Sequence, residues 1–498
     1  MVTGRKGLAP ITQSCPSLNP LNPDKSMDYN LVVQTLRLLN PMVSISTSRQ
    51  YLPPATADAS PNQHILPLTA TVNDRDCLEV GGCDVTELVQ QFGSPLYILD
   101  EQSLRTACKQ YRNGWQKHYP GESLVIYASK AWSCLAVCAI AQSEALGIDA
   151  VSGGEILTAI GAGVSAKNIY FHGNNKSVAE LELAIAKDCR IIADNWLELE
   201  NIAKIASATG KNVPVMIRLT PGIECHTHEY IRTGHLDSKF GFDPNQLDEV
   251  FTWLSKQTDM TCIGVHAHIG SQIFEQQPHK DLAGVMVEWY KLALSHGLPI
   301  SEINVGGGLG IKYTEADDPQ SIDEWIKNVA TALKAACDEH GVAYPRVLSE
   351  PGRSLIGSSC VTAYTIGGNK TVPGIRTYIS VDGGMSDNPR PITYQSTYRA
   401  MIANKMSAPM TETVTIAGKH CESGDILIKD AQIATSVPGD ILVVPATGAY
   451  NYSMSSNYNR ITRPAAVLVN QGQANIIIER ESYDDLLRFD KLPKRLVT

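Results

Sequence analysis

Eight short apolar runs, separated by longer helix-like stretches, constrain the fold more than any other feature of this sequence. Such alternation is typical of parallel strands joined by crossover helices. Eight units spread over roughly 250 residues match the number and length that close a β/α barrel. An open doubly wound sheet is the alternative, and we favour the (β/α)8 barrel. The predicted strands are Ser123–Ser129, Ile148–Ser152, Lys167–His172, Arg190–Asp194, Val213–Leu219, Thr261–His268, Ile303–Gly306 and Arg346–Glu350.

The sequence pattern changes after the eighth predicted strand. Strand-like segments such as TYISVDGG and GDILVVPA follow one another there, with Gly, Asp and Asn turns between them and little helix. This pattern predicts an antiparallel β domain, either a sandwich or a barrel. We expect the apolar segment Leu96–Leu99 to add a strand to it. The predicted regions are an N-terminal extension (1–64), a segment contributing to the β domain (65–101), the barrel (102–357) and the β domain (358–498).

The first 64 residues differ from the rest of the chain. They are rich in Ser, Pro, Asn and Thr and contain neither a clean strand nor a long amphipathic helix. We interpret them as a disordered extension, or as the product of an upstream start codon with Met27 or Met42 as the real beginning. A transit peptide is the alternative, but Asp24 and Asp28 interrupt the acid-poor pattern of such peptides.

Composition excludes several classes of protein. A formal charge of −9 argues against a nucleic-acid partner, because proteins that bind phosphate backbones usually carry a basic excess. No apolar run approaches the roughly 20 residues that span a bilayer. The 12 cysteines are spread singly, which is typical of reduced thiols rather than a disulfide framework or a zinc site. We expect a cytoplasmic protein (plastid stroma if the extension is a transit peptide), without nucleic-acid or membrane partners and without a metal.

Polar residues follow most of the predicted barrel strands. In a β/α barrel, the active site forms at the C-terminal ends of the strands, so these residues should face one mouth. Each has an ordinary structural explanation alone, but together they predict an active site. They are Lys130, Ser152–Glu155, His172–Asn175, Asp194, Arg218, His268, Gly306–Gly308 and Glu350–Arg353.

Four of these features indicate what the site would bind, and the glycine run favours a phosphate-bearing cofactor. Lys130 is either a solvated loop residue or a desolvated amine with a lowered pKa, the state suited to forming a Schiff base. The glycines Gly306–Gly308 follow strand seven, where barrels commonly bind phosphate through backbone N–H groups. Glu350 either pairs with Arg353 or keeps the nitrogen of a pyridine ring protonated. His268 is either a core histidine or a residue that stacks on such a ring.

Ten motifs, between about Cys83 and Arg480, carry a family resemblance. The sequence resembles the diaminopimelate decarboxylases in their bacterial, cyanobacterial or plastid forms. These are barrel-type pyridoxal-phosphate enzymes, related to ornithine decarboxylase and alanine racemase. HGNNKS and CESGD are the most discriminating. The motifs are YASKAW, DAVSGGE, FHGNNKS, HTHEYIRTGHLDSKFGF, HAHIGSQI, NVGGGLG, EPGRS, NPRPITY, CESGD and GAYNYSMSSNYN.

The resemblance implies a role for each matching residue. Lys130 would anchor pyridoxal 5'-phosphate covalently, His268 would stack on its ring, and Glu350 would pair with the ring nitrogen. Cys421 would donate a proton, reaching the barrel of the other subunit in a homodimer. The phosphate would be surrounded by Ser271, Gly307, Gly308, Gly352, Arg353 and Tyr450. The substrate would be bound by Arg353, Arg390, Tyr394, Glu422 and Tyr450.

The implied reaction is the decarboxylation of meso-2,6-diaminopimelate to L-lysine and CO₂, the last step of lysine biosynthesis. A decarboxylase of ornithine, arginine or carboxynorspermidine on the same fold is the nearest alternative, although an Asp commonly replaces Glu422 in ornithine decarboxylase. Alanine racemase is disfavoured by Glu350 and Cys421. A relative without enzymatic activity is disfavoured because Lys130 and Cys421 are both present.

Overall fold

The computed structural model describes residues 46–54, 59–223 and 238–496. Strands are numbered in chain order. The first three form a small antiparallel sheet, and the helix Val85–Phe92 and a fourth strand follow it. These strands are β1 (Thr71–Val72), β2 (Leu78–Val80), β3 (Cys83–Asp84) and β4 (Leu96–Asp100).

Eight parallel strands close into a barrel, which confirms the predicted architecture. The last of them, β12, pairs with the first, β5, so the sheet has no free edge and an open doubly wound sheet is excluded. The strands are β5 (Ser123–Ala128), β6 (Gly147–Ala150), β7 (Ile169–Phe171), β8 (Arg190–Ala193), β9 (Val213–Arg218), β10 (Met260–His266), β11 (Glu302–Asn304) and β12 (Arg346–Ser349).

Side chains from alternate strand positions fill the barrel, and the opposite faces pack against helices. Ile126, Tyr170, Ile192, Met216 and Leu348 form the inner cluster. No helix in the described part of the chain is both long and apolar enough to cross a bilayer. The helices around the barrel are Glu101–His118, Leu135–Ser143, Gly153–Gly161, Val178–Ala186, Trp196–Thr209, Leu247–Leu254, Gln277–Ser295 and Ile322–His340.

The remaining strands join β4 in a nine-stranded sheet, the predicted second domain. Most pairs are antiparallel as predicted, but β14 with β16 and β4 with β19 run parallel, so the sheet is mixed. The prediction of a purely antiparallel domain is wrong for these two pairs. The strands are β13 (Cys360–Val372), β14 (Arg376–Val381), β15 (Met401–Ile402), β16 (Met410–Ala417), β17 (Ile426–Ala434), β18 (Ile441–Pro445), β19 (Ala465–Asn470) and β20 (Gln473–Ile478).

Strand β4 lies in the interior of this sheet, between β13 and β19. This confirms that Leu96–Leu99 supplies a strand to the second domain. The parallel pairing with β19 is possible because the whole barrel separates the two strands in the sequence. A direct hairpin would have imposed the antiparallel direction, whereas a long connection does not.

Part of the N-terminal extension packs against the rest of the chain. Asn62 is fully buried, Tyr51 is nearly so, and Thr47 forms a β-bridge with Pro409. The prediction of a disordered extension is therefore wrong for 46–54 and 59–64. These residues are ordered by contacts with distant parts of the chain, which local sequence periodicity does not reveal. Residues 1–45 lie outside the described residues.

Candidate active site

A cavity of about 460 Å³ lies at the C-terminal mouth of the barrel. Its wall combines residues of the barrel with residues of the second domain. Eight of the residues to which the family resemblance gives a role line it: Lys130, His268, Ser271, Glu350, Arg353, Arg390, Tyr394 and Tyr450. They share the wall with Asp149, Val151, His172, Gly173, Asn174, Asn175, Lys176, Glu180, Arg218, Phe240 and His266.

Lys130 lies on a single 3-10 turn, Ser129–Ala131, directly after β5. The backbone N–H of Tyr450 donates to the carbonyl oxygen of Ala131 at 2.8 Å, so the second domain holds this turn. The surrounding barrel wall would lower the pKa of Lys130, whose side chain is exposed to the cavity, but the neighbouring Asp149 and Tyr450 raise that pKa above its usual value. The interpretation of Lys130 as a Schiff-base amine stays a prediction.

Glu350 lies just beyond β12 in a buried polar cluster at the wall of the cavity. Its Oε1 accepts a hydrogen bond of 2.6 Å from Nδ2 of Asn304 and lies 2.9 Å from Nε2 of His172. Its Oε2 lies 3.2 Å from Nε2 of His266. Burial would raise the pKa of Glu350, but the two imidazoles hold it well below its usual value. The carboxylate is therefore ionised at neutral pH.

The three donors of this cluster, on His172, His266 and Glu350, lie within 4.8 Å of one another. That spacing is compatible with a metal ion in principle. The sequence predicts no metal, and this stays a prediction.

His268 lines the cavity, and the glycine run lies directly beside it without lining the cavity. The N–H of Gly307 donates to Nδ1 of His268 at 3.2 Å. Burial holds the pKa of His268 well below its usual value, so the ring is neutral and carries its proton on Nε2. A Cβ on Gly307 would lie 2.3 Å from the carbonyl oxygen of Glu350, so only glycine allows these two loops to approach so closely.

Arg353 is held by three neighbours, none of which is Glu350. Its Nε donates to Oγ of Ser271 at 3.1 Å, and its Nη1 donates to the hydroxyl of Tyr313 at 2.6 Å. Its guanidinium also lies 4.9 Å from the ring centroid of Tyr450. The alternative interpretation, in which Glu350 pairs with Arg353, is therefore wrong.

Arg390 brings a second guanidinium to the cavity. It begins the short helix Arg390–Tyr394 of the second domain, and its side chain lies 5.1 Å from the ring centroid of Tyr394. Its Nη2 donates to Oγ of Ser396 at 3.2 Å. Its buried Nε has no hydrogen-bond partner among the described residues. A guanidinium with unused N–H capacity in a cavity is suited to binding a carboxylate.

Cys421 and Glu422 do not line this cavity. Both are exposed on a loop of the second domain. The backbone N–H of Cys421 donates to the side-chain oxygen of Asn459 at 2.8 Å, which fixes the loop. The structure of one chain therefore does not bring these two residues to Lys130.

Sequence reasoning gave no role to several residues at the site. Asp149, His266 and Asn304 are buried polar residues within barrel strands. Polar residues inside these apolar runs could have been recognised in the sequence as candidates for the site. Tyr313 had no such signal because it lies on a loop. The motif HTHEYIRTGHLDSKFGF lies largely outside the described residues, but its Phe240 lines the cavity.

Comparison with known proteins decides the family. The model for the pyridoxal binding domain of pyridoxal-dependent decarboxylases matches residues 104–357. Over 469 residues the chain is 62% identical to diaminopimelate decarboxylase of Synechocystis sp., which covers 93% of this chain and 100% of that relative. The chain belongs to the diaminopimelate decarboxylases.

Two further comparisons agree with this family. The diaminopimelate decarboxylase of Bacillus subtilis is 42% identical over 433 residues, which is 85% of this chain and 97% of that relative. The crystal structure of diaminopimelate decarboxylase from M. jannaschii in complex with L-lysine has a TM-score of 0.81 at 30% identity. It covers 88% of this chain and 100% of that one. The similarity therefore includes both the barrel and the second domain.

Proposed function

We propose that this chain decarboxylates meso-2,6-diaminopimelate to L-lysine and CO₂, the last step of lysine biosynthesis, with pyridoxal 5'-phosphate as its cofactor. One observation carries the proposal. An ionised, buried carboxylate, that of Glu350, shares a cavity with the amine of Lys130 and with the guanidinium groups of Arg353 and Arg390. The family supplies the identity of the substrate.

The residues of the cavity fit this cofactor. Glycine at 307 lets this turn pack against the loop of Glu350, at the place after strand seven where barrels commonly bind phosphate. Oδ1 of Asp149 is buried without a hydrogen-bond partner among the described residues, so a polar group of a ligand could satisfy it. When bound, pyridoxal phosphate supplies an electron sink for the electron pair left by departing CO₂.

Each predicted residue then has a task. Lys130 provides the amine that anchors the cofactor, and ionised Glu350 keeps a ring nitrogen protonated. Neutral His268 packs against the ring face. The residues that would hold the phosphate are Ser271, Gly307, Gly308, Gly352, Arg353 and Tyr450.

The substrate needs charged partners at both ends, because each end of diaminopimelate carries a carboxylate and an ammonium. Arg353 and Arg390, assisted by Tyr394, bind carboxylate through paired N–H groups. Glu422 binds the distal ammonium, and Cys421 donates the proton that replaces CO₂. Because both residues lie outside the cavity of their own chain, they complete the site of a second subunit in a homodimer.

We place the enzyme in the cytoplasm. All ten cysteines among the described residues are free thiols, which suits a reducing compartment.

The decarboxylases of ornithine, arginine or carboxynorspermidine remain the alternative on this fold. Arg353 and Arg390, which both line the cavity, favour a substrate with a second carboxylate over the diamine precursors.

An absorbance scan followed by an assay tests the proposal. The purified protein should absorb near about 420 nm, where a protonated pyridoxal Schiff base absorbs, and it should release lysine and CO₂ from meso-diaminopimelate. Lys130→Ala should lose both the absorbance and the activity. A yellow protein inactive on diaminopimelate would redirect the search to the alternative substrates. A protein that stays colourless with added pyridoxal phosphate would refute the proposal.

A further inference from the structure

Hydrogen bonds from the N-terminal segment 59–64 hold the loop between β11 and the helix Ile322–His340. Tyr313 of this loop, residues 309–321, contacts Arg353, which lines the active-site cavity. Segment 59–64 contacts the loop on both sides of Tyr313. The hydrogen bonds run from Asn62 Nδ2 to the carbonyl oxygens of Gly310 (3.2 Å) and Gln320 (2.7 Å), from the N–H of Lys312 to the carbonyl oxygen of Asn62 (2.9 Å), and from Gln63 Nε2 to the carbonyl oxygen of Pro319 (3.0 Å).

Asn62 takes part in most of these hydrogen bonds. Its side chain is fully buried, and its Oδ1 accepts a hydrogen bond of 2.7 Å from Oγ of Ser60. The same Oγ accepts from the N–H of Ile322, the first residue of the helix, at 3.1 Å. All the polar atoms of the Asn62 side chain are therefore used. Truncating it would leave two buried carbonyl groups without a donor.

Tyr313 connects the loop to the active site. Its hydroxyl accepts the 2.6 Å hydrogen bond from Nη1 of Arg353, and its ring packs edge-on against Tyr398, with 5.2 Å between ring centroids. A hydrogen bond to a charged guanidinium is among the stronger kinds in proteins. The position of the loop therefore affects where the Arg353 guanidinium lies.

We propose that Asn62 is a positioning residue of the active site, which fixes loop 309–321 so that Tyr313 holds the Arg353 guanidinium ready for a substrate carboxylate. The inference rests on the proposed role of Arg353 in binding substrate. It gives a task to part of the segment that is interpreted from its sequence as a disordered or spurious extension. On the barrel side, Gln272 holds the same loop by accepting from the N–H of Ile311 at 3.1 Å, so loss of Asn62 should loosen the loop without unfolding it.

A double-mutant cycle tests the connection. Asn62→Ala and Tyr313→Phe should each raise the KM for meso-diaminopimelate about tenfold while kcat changes less than about twofold, because a ground-state binding contact is lost. The double variant should resemble Tyr313→Phe alone, since both changes remove the same contact. Independent, multiplying effects on KM would overturn the proposal.

Hydrogen exchange provides a readout that needs no substrate. Asn62→Ala should accelerate amide exchange in residues 309–321 and in the turn around Arg353. The matched control is Asn404→Ala, which removes an asparagine bonded to the backbone N–H of Ile441 and to the carboxylate of Asp440, on the second domain and outside the cavity wall. The control variant should leave amide exchange unchanged both in residues 309–321 and in the turn around Arg353. Faster exchange in the loop with none around Arg353 would refute the proposal.

The two experiments separate this inference from the proposed function. If the wild-type protein did not decarboxylate diaminopimelate, the proposed function would fail, while the exchange measurement would still decide whether Asn62 controls the Arg353 turn.

Discussion

The ionisation of Glu350 depends on contacts with individual side chains, so a single substitution can test the role of its charge. The carboxylate is ionised because His172 and His266 outweigh the effect of burial on its pKa. Glu350→Gln keeps the size of the side chain but removes the charge that holds a ring nitrogen protonated. We expect kcat to fall about a hundredfold or more, with the protein still folded.

The matched control is Glu302→Gln, which removes the charge of another buried barrel glutamate. Glu302 pairs with Arg190 and Arg346, and it does not line the active-site cavity. It should lower Tm but leave kcat within about twofold of the wild-type value. Equal losses of kcat in both variants would mean that Glu350 acts only through stability.

The stability of the protein should depend on pH through the buried histidine His279. Burial lowers the pKa of His279 from 6.5 to about 4, and its ring packs edge-on against Trp325. Above pH 6.5 His279 is neutral in both the folded and the unfolded protein, so protonation of this residue does not lower the free energy of unfolding there. Between pH 6.5 and about 4 only the unfolded chain takes up the proton, so stability falls, by about 1.4 kcal/mol for each pH unit.

Comparison with His279→Leu isolates this effect, because leucine is of similar size and does not titrate. The Tm of the wild-type protein should fall more steeply than that of the variant between pH 7 and pH 4.5. Parallel curves for the two proteins would show that His279 titrates normally in the folded state.

At the scale of elements, the glycine turn after β11 brings two barrel loops together. Gly307→Ala would place a Cβ 2.3 Å from the carbonyl oxygen of Glu350, so the two loops must separate. We expect the affinity for pyridoxal phosphate to fall at least tenfold, measured by titrating the cofactor-free protein and following absorbance. Gly284→Ala, in the helix Gln277–Ser295 with open space around the added Cβ, should keep that affinity and raise stability slightly. Equal affinities in both variants would contradict the expected role of the turn.

The elements that sequence predicts well are those whose signal is local. Each barrel strand is a short buried run, and residues such as Lys130 and Glu350 follow these strands directly, so both the barrel and its mouth could be predicted. The parallel pairing of β4 with β19 and the burial of Asn62 could not, because both depend on contacts between distant parts of the chain. The two histidines beside Glu350 belong to the same class: their proximity exists only once the barrel closes.

At the scale of the whole molecule, the active site belongs to two domains. The barrel provides Lys130 and Glu350, whereas Arg390 and Tyr450 come from the second domain. The hydroxyl of Ser453 also donates to the carbonyl oxygen of Ala131 at 2.9 Å, so the second domain fixes the turn that carries Lys130. The barrel is therefore not expected to retain the site if it is produced alone.

The same reasoning extends to a second copy of the chain. Cys421 and Glu422 are exposed and lie outside the cavity, so in the proposed homodimer each site takes Lys130 from one chain and Cys421 from the other. Lys130→Ala and Cys421→Ala should each be inactive alone. In a heterodimer of the two variants, one site combines an intact Lys130 with an intact Cys421. Random exchange of equal amounts should therefore restore about a quarter of wild-type activity, because about half of the dimers are mixed and each has one complete site.

Subunit exchange must be verified in the same sample, for example with two affinity tags and recovery of doubly tagged dimers. The control mixes two differently tagged Lys130→Ala preparations, which should exchange equally well and recover nothing. If mixed dimers form but stay inactive, Cys421 does not act across the interface, and the proton donor must be sought among residues that line the cavity of the same chain. A recovery close to a quarter would instead mean that dissociation abolishes activity, so that activity at low enzyme concentration should fall with the dimer population.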